Sequence, residues 1–484
     1  MYLDGQGALF QQVYRVLRDG IVDGRFAATT RLPPTRALAS DLGVSRATVL
    51  LAYEQLAAEG YVGARQGSGT YVQGPVSVAP AAPRGPAASR GAPRLGRLAT
   101  ALLANRRPPL ESAYAGVRPA LRWDFRYGLP SLDDFPLETW QRCVGRAARS
   151  APAGAYDYGP PQGSPALRAA LAAYLGRSRG VSCAAEQIVV VTGSQQGIDL
   201  AARLLVRPGA RAVVEEPGFE GARNAFLAAG ATLAPVAVDD EGLDPDALPR
   251  DACLALVTPS HQYPLGGVLS WTRRAALLAW ASRADAWVIE DDYDGEYRFD
   301  GRPIPPLKTL DADDRVLYLG TFSKVMFPAL RVGYLVLPPA LIEAFARGKL
   351  LADGGSPRLE QDALADFLAS GAFERHVRRS RARAGARRAL LLQALQERLG
   401  DRVAICGANS GLHVVLWARD VPGRAAGALA RRAAEAGVGI YPITPYYQTP
   451  PPLAGFILGY GALRLETIRP GVARLAKVLE AGVR

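Results

Sequence analysis

The sequence predicts a multidomain chain: a small, mainly α module with a β wing, followed by a large α/β domain. Three observations predict it. The chain has 484 residues, too many for one ordinary domain. Residues 74–110 hold six arginines and no acidic residue, are rich in Pro, Ala and Gly, and show no core-forming pattern before Leu95, so they read as a linker. Before this stretch apolar residues recur at helical spacing; after it, short strand-like apolar runs alternate with helical stretches. The expected boundaries are 1–73 for the small module, 74–122 for the linker and 123–484 for the large domain. Within the large domain, a large subdomain over about 123–345 precedes a small one over about 346–484.

Composition excludes several classes. Hydrophobic residues make up 49% of the chain, which rules out wholesale disorder. No run of about 18 apolar residues occurs, so no membrane span is expected. The amphipathic start MYLDGQGALFQQVYRVLRDG does not read as a signal peptide. The four cysteines and three histidines are widely scattered and match no zinc spacing, so no metal site and a reducing, cytoplasmic setting are expected. The net charge is +12, yet residues 1–73 carry seven arginines against six acids. Half of the excess therefore lies in the linker, which is expected to add salt-dependent attraction to phosphate. Only four lysines occur (Lys308, Lys324, Lys349 and Lys477), so a lysine inside a motif is informative.

In the first module, Phe10, Val13, Tyr14, Leu17 and Ile21 predict a helix over about 7–23, stopped by Gly24. Thr35 is the expected N-cap of a short helix ending before Gly43, and Ser45 caps the next, whose Val49, Ala52, Tyr53 and Leu56 share a face. Two helices around a glycine turn form a helix-turn-helix. YVGARQGSGTYV, with its apolar alternation around Gly67-Ser68-Gly69, adds a hairpin. The module is thus a winged helix-turn-helix, with promoter double-stranded DNA as its expected partner. The helix starting at Ser45 would enter the major groove by its N-terminal end. Arg46 would meet a guanine edge or a phosphate, Ser45 and Thr48 would hydrogen-bond nearby, and Arg36 would hold a phosphate. Arg65 and the tip at Gly67 would touch backbone or minor groove. The bland alternative is a solvated helical hairpin. The segments LPPTRALASDLGVSRATV and LAAEGYVGARQGSGTYV resemble the GntR-type winged helix.

In the large part, strand-like runs stand at 187–191, 210–216, 253–259, 286–291, 315–320 and 332–337, with helices such as 165–175 and 195–206 between them. This alternation implies a mainly parallel sheet, whose strand C-terminal ends should build the site. Four loops there carry chemistry: Val191–Gly197, opening a helix with Ser194; Glu216–Glu220, presenting Phe219; Ile289–Asp294, with clustered carboxylates; and Gly320–Lys324, followed by Arg331. Singly, each also reads as an ordinary cap, a core aromatic, a solvated acidic loop or a metal site. Together they describe a pyridoxal 5'-phosphate site. A lysine amine forms a Schiff base, a carboxylate faces the pyridine nitrogen, an aromatic stacks on the ring, and hydroxyls, a helix N-terminus and an arginine hold the phosphate.

Residues from about 123 to 484 resemble fold-type I aminotransferases of class I. The resemblance implies Lys324 as the Schiff-base lysine, Asp291 at the pyridine nitrogen, Tyr293 at the ring hydroxyl and Phe219 stacked on the ring. It implies Ser194, Gln195, Thr321, Ser323 and Arg331 around the phosphate. A winged helix fused to such a domain resembles the MocR/GabR subfamily of bacterial regulators, on SHQYPLGG, EDDYDGEYRF and GTFSKVMFPALRVGYLVLP. That resemblance implies a head-to-tail homodimer that senses a small amine, an amino acid or pyridoxal phosphate.

Some family positions differ. Tyr263 stands where an asparagine normally reaches the ring hydroxyl, and His261 nearby either lines the pocket or is structural. Ile457 stands where class I aminotransferases place a carboxylate-binding arginine. Arg464 lies seven residues beyond Ile457, and Gly221 stands where the GABA-sensing member has an arginine, with Arg223 just beyond. The expected function is therefore a DNA-binding regulator, with residual transaminase half-reactions chemically open. The alternatives are a working aminotransferase with an accessory DNA-binding module and a cofactor-free repressor. Seven arginines between 375 and 388 are expected on a long helix with a solvated face, touching the linker or DNA if anything.

Overall fold

The structure, a computed structural model, describes residues 3–65, 69–73, 95–96, 99–100, 121–150, 157–299 and 304–481. The 74–122 linker lies almost wholly outside the described residues, as does Gly67. The chain forms two compact units, Met1–Arg94 and Leu95–Arg484.

The first unit contains α1 (Leu9–Val22), α2 (Thr35–Leu42), α3 (Arg46–Ala58), β1 (Val62–Arg65) and β2 (Gly69–Val72). Each helix contributes its apolar stripe: Val13, Leu17 and Ile21 meet Leu38, Val49, Ala52, Tyr53 and Leu56, and Val62 and Val72 of the wing close the core. Thr35 is the first helical residue rather than the cap, because the Leu38 amide already bonds the Pro34 carbonyl. Gly43 ends α2 at φ 64°, a conformation that costs glycine nothing. Ser45 does cap α3: its hydroxyl accepts from the Thr48 amide at 3.1 Å. Losing a cap of this kind costs about 1 kcal/mol. Ser45→Ala should therefore speed hydrogen exchange along α3, and unchanged protection there would refute the cap's role. β1 and β2 pair antiparallel, with Arg65 opposite Gly69.

The second unit runs β3 (Trp123–Asp124), α4 (Leu137–Ser150), α5 (Pro165–Arg179), β4 (Ile188–Val191), α6 (Ser194–Leu205), β5 (Arg211–Glu216), α7 (Glu220–Ala228), β6 (Thr232–Asp239), β7 (Gly242–Leu243), β8 (Ala252–Val257), α8 (Trp271–Ala284), β9 (Trp287–Asp292), β10 (Val316–Thr321) and β11 (Gly333–Val336). The sheet order is β4-β11-β10-β9-β8-β5-β6-β7. β10, β9, β8, β5 and β6 are parallel, and β11 is antiparallel to both of its neighbours. Both faces of the sheet are covered, which explains why its strands read as unbroken apolar runs. Ile188 and Val190 turn to the face packed by Leu167 and Leu171 of α5, whereas Val189 and Val191 turn to Ile198 and Ala201 of α6. Beneath the remaining strands, Leu277 and Trp280 of α8 pack on Val257 and Val288.

After β11 come α9 (Ile342–Asp353), α10 (Arg358–Ala369), α11 (Ala372–Leu399), β12 (Val403–Cys406), β13 (His413–Pro422), α12 (Ala426–Glu435), β14 (Val438–Gly439), β15 (Tyr441–Pro442), β16 (Leu453–Gly459) and α13 (Leu465–Ala481). A second, antiparallel sheet of order β12-β13-β16-β15 packs Leu416 and Phe456 against Leu391 and Leu395 of α11 and Leu475 of α13. The arginine-rich stretch does lie on one long helix, α11, but its face is not simply solvated. Arg383 and Arg387 pair with Asp134 at 2.7 and 2.9 Å, and Arg388 stacks on Phe299. Arg375, Arg378, Arg379 and Arg381 stay exposed. No helix among the described residues is long and apolar enough to cross a membrane.

Candidate functional site

A cavity of about 550 Å³ opens at the C-terminal ends of β4, β5, β9 and β10, where a doubly wound sheet gathers its loops. Ser194, Gln195, Phe219, Asp291, Tyr293, Thr321, Ser323, Lys324 and Arg331 all line it, so the four predicted loops converge although 137 residues separate Ser194 from Arg331. Arg126, Gly128, Tyr263, Asp294, His413 and Tyr446 are also part of the wall.

Strand alternation sorts the clustered carboxylates of β9. Glu290 and Asp292 turn away from the cavity. Glu290 accepts from the Leu307 and Lys308 amides at 2.6 and 2.8 Å, and Asp292 pairs with Arg179 and accepts from the Tyr318 hydroxyl at 2.6 Å. Asp291, between them, faces the cavity, and its Oδ1 is buried without a hydrogen-bond partner. Burial, with Asp292 beside it, pushes the Asp291 carboxyl up to about 7, against the pull of Lys324. The group is thus neither a solvated acid nor part of an ion pair with a neighbouring arginine.

Lys324 donates to the Gly128 carbonyl at 3.1 Å. The anion side of the cavity is built from two strand ends. β4 turns at Gly193 (φ 90°) into α6, whose first residue is Ser194. A side chain at Gly193 would lie 2.7 Å from the Arg331 guanidinium, so glycine is needed there. Arg331 donates to the Thr192 carbonyl at 2.7 Å, and Thr321 bonds the Ser323 amide and hydroxyl at 3.2 and 3.1 Å. Amides at a helix start, two hydroxyls and a guanidinium suit a phosphate. Gln195 reaches across to the Gly221 carbonyl at 3.1 Å.

His261 lies behind Tyr293 rather than on the cavity wall. It is 2% exposed, and its Nδ1 stands 2.9 Å from both the Asp294 carboxylate and the Tyr293 hydroxyl. The open alternative for this residue closes on a supporting role. Burial, then His261, lowers His413 to about 3, so His413 presents a neutral ring to the cavity. Tyr263, in the place expected for an asparagine, packs edge-on to Phe219, Tyr293 and Tyr446. His413 and Tyr446 carried no motif in the sequence, and Arg126 sat at an assumed domain edge. Long-range packing alone brings these three to the site.

In the first unit, Arg46 reaches the Thr35 hydroxyl at 3.4 Å, which holds the starts of α2 and α3 together. Arg36, Ser45 and Arg46 are exposed there, and Thr48 bonds Ser45. Arg65 ends β1, opposite Gly69 at the turn end of the wing.

Residues 9–72 match the family described as bacterial regulatory proteins, gntR family, and residues 133–453 match aminotransferase class I and II. The probable rhizopine catabolism regulatory protein MocR of Rhizobium meliloti is 40% identical over 98% of this chain and 94% of its own length. The chain belongs to the MocR-type regulators. This MocR-type chain is also 34% identical, over 98% of its length and 96% of the relative's, to the HTH-type pyridoxine biosynthesis transcriptional regulator PdxR of Corynebacterium glutamicum. Among solved structures, it is similar to LysN, an α-aminoadipate aminotransferase from Thermus thermophilus, with a TM-score of 0.71 and 28% identity. The likeness covers 80% of this chain and 97% of that one. The MocR-type chain is thus a helix-turn-helix transcriptional regulator whose large unit has the fold-type I aminotransferase architecture.

Proposed function

We propose that residues 123–484 bind pyridoxal 5'-phosphate and a small amine or amino acid, and that this binding controls how residues 1–73 engage promoter DNA, with 74–122 joining them. One observation carries the reading. A buried carboxylate oxygen without a partner, on Asp291, and a lysine amine, on Lys324, line one cavity that also holds the anion cradle of Ser194, Thr321, Ser323 and Arg331. The residues fit that cofactor. Asp291 would hold the proton of its ring nitrogen, and Tyr293 its ring hydroxyl, with the His261–Asp294 pair steadying the tyrosine. Phe219 would cover the ring. Ser194, Gln195, Thr321, Ser323 and Arg331 would bind the phosphate, and the Lys324 amine would hold the group covalently. When bound, it supplies an aldehyde for primary amines and an electron-withdrawing ring.

A ligand can move the DNA-binding equilibrium only by its difference in affinity between two conformations. The direct test is a mobility assay on the gene's own upstream DNA, with and without pyridoxal phosphate and a panel of amines. A shift in affinity or mobility with one compound is the expected result, and indifference to all of them would end the sensing reading. In the same assay Arg46→Ala should weaken specific binding by about 1–3 kcal/mol, as loss of a base-edge contact does. Equal loss on all sequences would instead make Arg46 a phosphate contact.

A homodimer is part of this proposal. Leu351, 80% exposed on α9, with exposed Leu350 and Leu359, is apolar surface that an assembly would cover. Light scattering giving a monomeric mass would remove it. The cytoplasm is the compartment that promoter binding requires.

A further inference from the structure

The outward face of α3 carries an apolar pair that the core does not use. The helix buries Val49, Ala52, Tyr53 and Leu56 against the apolar stripes of α1 and α2. Yet Leu50 and Leu51 are 46% and 52% exposed, and Ala47 and Glu54 are exposed beside them. At 3.6 residues per turn, Ala47 lies one turn before the leucines and Glu54 one turn after, so the four share the face turned away from the core. Among the described residues of the first unit, the other exposed large apolar side chains are Leu9 and Val22, the first and last residues of α1. Single apolar residues of that kind are ordinary surface. Two adjacent leucines in mid-helix leave a larger apolar area in water, and a partner that covers them gains by it.

The rest of the face says what covers them. Arg36, at the start of α2, and Ser45 and Arg46, at the start of α3, are all exposed. The first acidic residue of α3 is Glu54. The surface is therefore cationic, then apolar, then acidic along the helix. Residues 9–72 match the gntR family of regulators, and a duplex is the partner whose charge suits the cationic end. The apolar group that a duplex projects into its major groove is the 5-methyl of thymine. Leu50 and Leu51 stand four and five residues after Arg46, about 6–7.5 Å further along the helix axis, which is about two base-pair steps. The small side chain of Ala47 lets the helix lie close to the groove floor.

We propose that Leu50 and Leu51 read thymine. They pack on 5-methyl groups of the operator, about two base pairs from the position that Arg46 meets, and set sequence preference there without a hydrogen bond. This inference rests on the reading of residues 1–73 as the promoter-binding module, and it names the base that the middle of α3 selects.

The test uses the full-length protein and the gene's own upstream DNA in two versions, one with thymine and one with uracil at every thymine position. Uracil keeps the hydrogen-bonding edge of thymine and lacks only the methyl. An unrelated duplex, also in both versions, measures non-specific binding. The wild type should bind the thymine version of the upstream DNA more tightly by about fourfold for each methyl covered, the worth of burying one such carbon, and bind both versions of the unrelated duplex alike. The double variant Leu50→Ala, Leu51→Ala should lose that ratio and bind both versions about as the wild type binds the uracil one. Alanine favours the helix and both positions lie outside the core, so an unchanged thermal melt shows that the unit is folded. A wild type that binds its upstream DNA equally with thymine and with uracil overturns the proposal. An equal ratio on the unrelated duplex also overturns it, since the methyl would then act through DNA stiffness. So does a ratio that survives in the double variant; a fall in mass by light scattering would then assign the leucines to a contact between two copies. A wild type with no preference for its upstream DNA over the unrelated duplex overturns the promoter reading itself, and the inference with it.

Discussion

Lys324→Ala is expected to remove the visible absorbance that the protein gains with pyridoxal phosphate, and every ligand-dependent change in DNA mobility with it. No other lysine can take over. Lys308 is held by Asp311 at 2.8 Å, Lys349 is buried against Asp353 and Ser356, and Lys477 is exposed on α13; none of the three lines the cavity. A covalent attachment confined to one amine falls to zero, not to a fraction, when that amine goes. Borohydride reduction followed by peptide mapping should add the cofactor's mass to the Lys324 peptide of the wild type and to no peptide of the variant. DNA binding without ligand should persist, because the residues named for it belong to another unit. Visible absorbance that survives in Lys324→Ala would remove the lysine from its role.

Asp291→Asn is expected to strengthen the empty protein and weaken the loaded one. The Asp291 carboxyl stands at about 7 when folded, against an ordinary value of 3.8. Because its value is raised, the folded state binds the proton more tightly than the unfolded one. The resulting loss of stability is absent below about 3.8, grows as the pH rises toward 7, and is complete above it. Asparagine keeps the shape without the titration. The cofactor-free variant should therefore exceed the wild type in stability at pH 8 by about 2–3 kcal/mol more than at pH 5. Buried Glu290, also pushed up to about 7, titrates in both proteins and cancels in the difference. With pyridoxal phosphate added the order should reverse, since the asparagine holds no charge for a protonated ring nitrogen. Thermal melts at pH 5 and 8, with and without cofactor, read all four values. A variant no more stable than the wild type at pH 8, or equally stabilised by cofactor, would contradict the role given to Asp291.

Much of this was legible from local pattern. The three helices and wing of the first unit follow from apolar spacing, a glycine turn and the Ser45 cap. The six strand runs named in the sequence all form, because a strand buried on both faces must be apolar throughout. Thr35 was misread as a cap because its neighbour Pro34 has no side-chain acceptor to mark it, yet its carbonyl starts the helix. The solvated face of α11 forms as its pattern suggests, with Arg375, Arg378, Arg379 and Arg381 exposed, but the pairing of Arg383 and Arg387 with Asp134 was not legible, because that partner lies about 250 residues away in sequence.

The sequence by itself determined that this protein joins a winged helix-turn-helix to an α/β domain, and which four loops carry its chemistry. Periodicity, caps and strand-end motifs are written in neighbouring residues, and neighbouring residues suffice to read them. Only the tertiary structure decided that Asp291, alone of the acids on β9, turns toward the cavity of Lys324, with its Oδ1 left without a partner. Only it decided that His261 stands behind Tyr293, and that Arg126 reaches the same cavity. Those outcomes depend on which face of a strand each neighbour covers and on β16 meeting a segment more than 300 residues before it. Contacts at that separation leave no periodic trace in a single sequence; they exist only once the sheets have closed on one another.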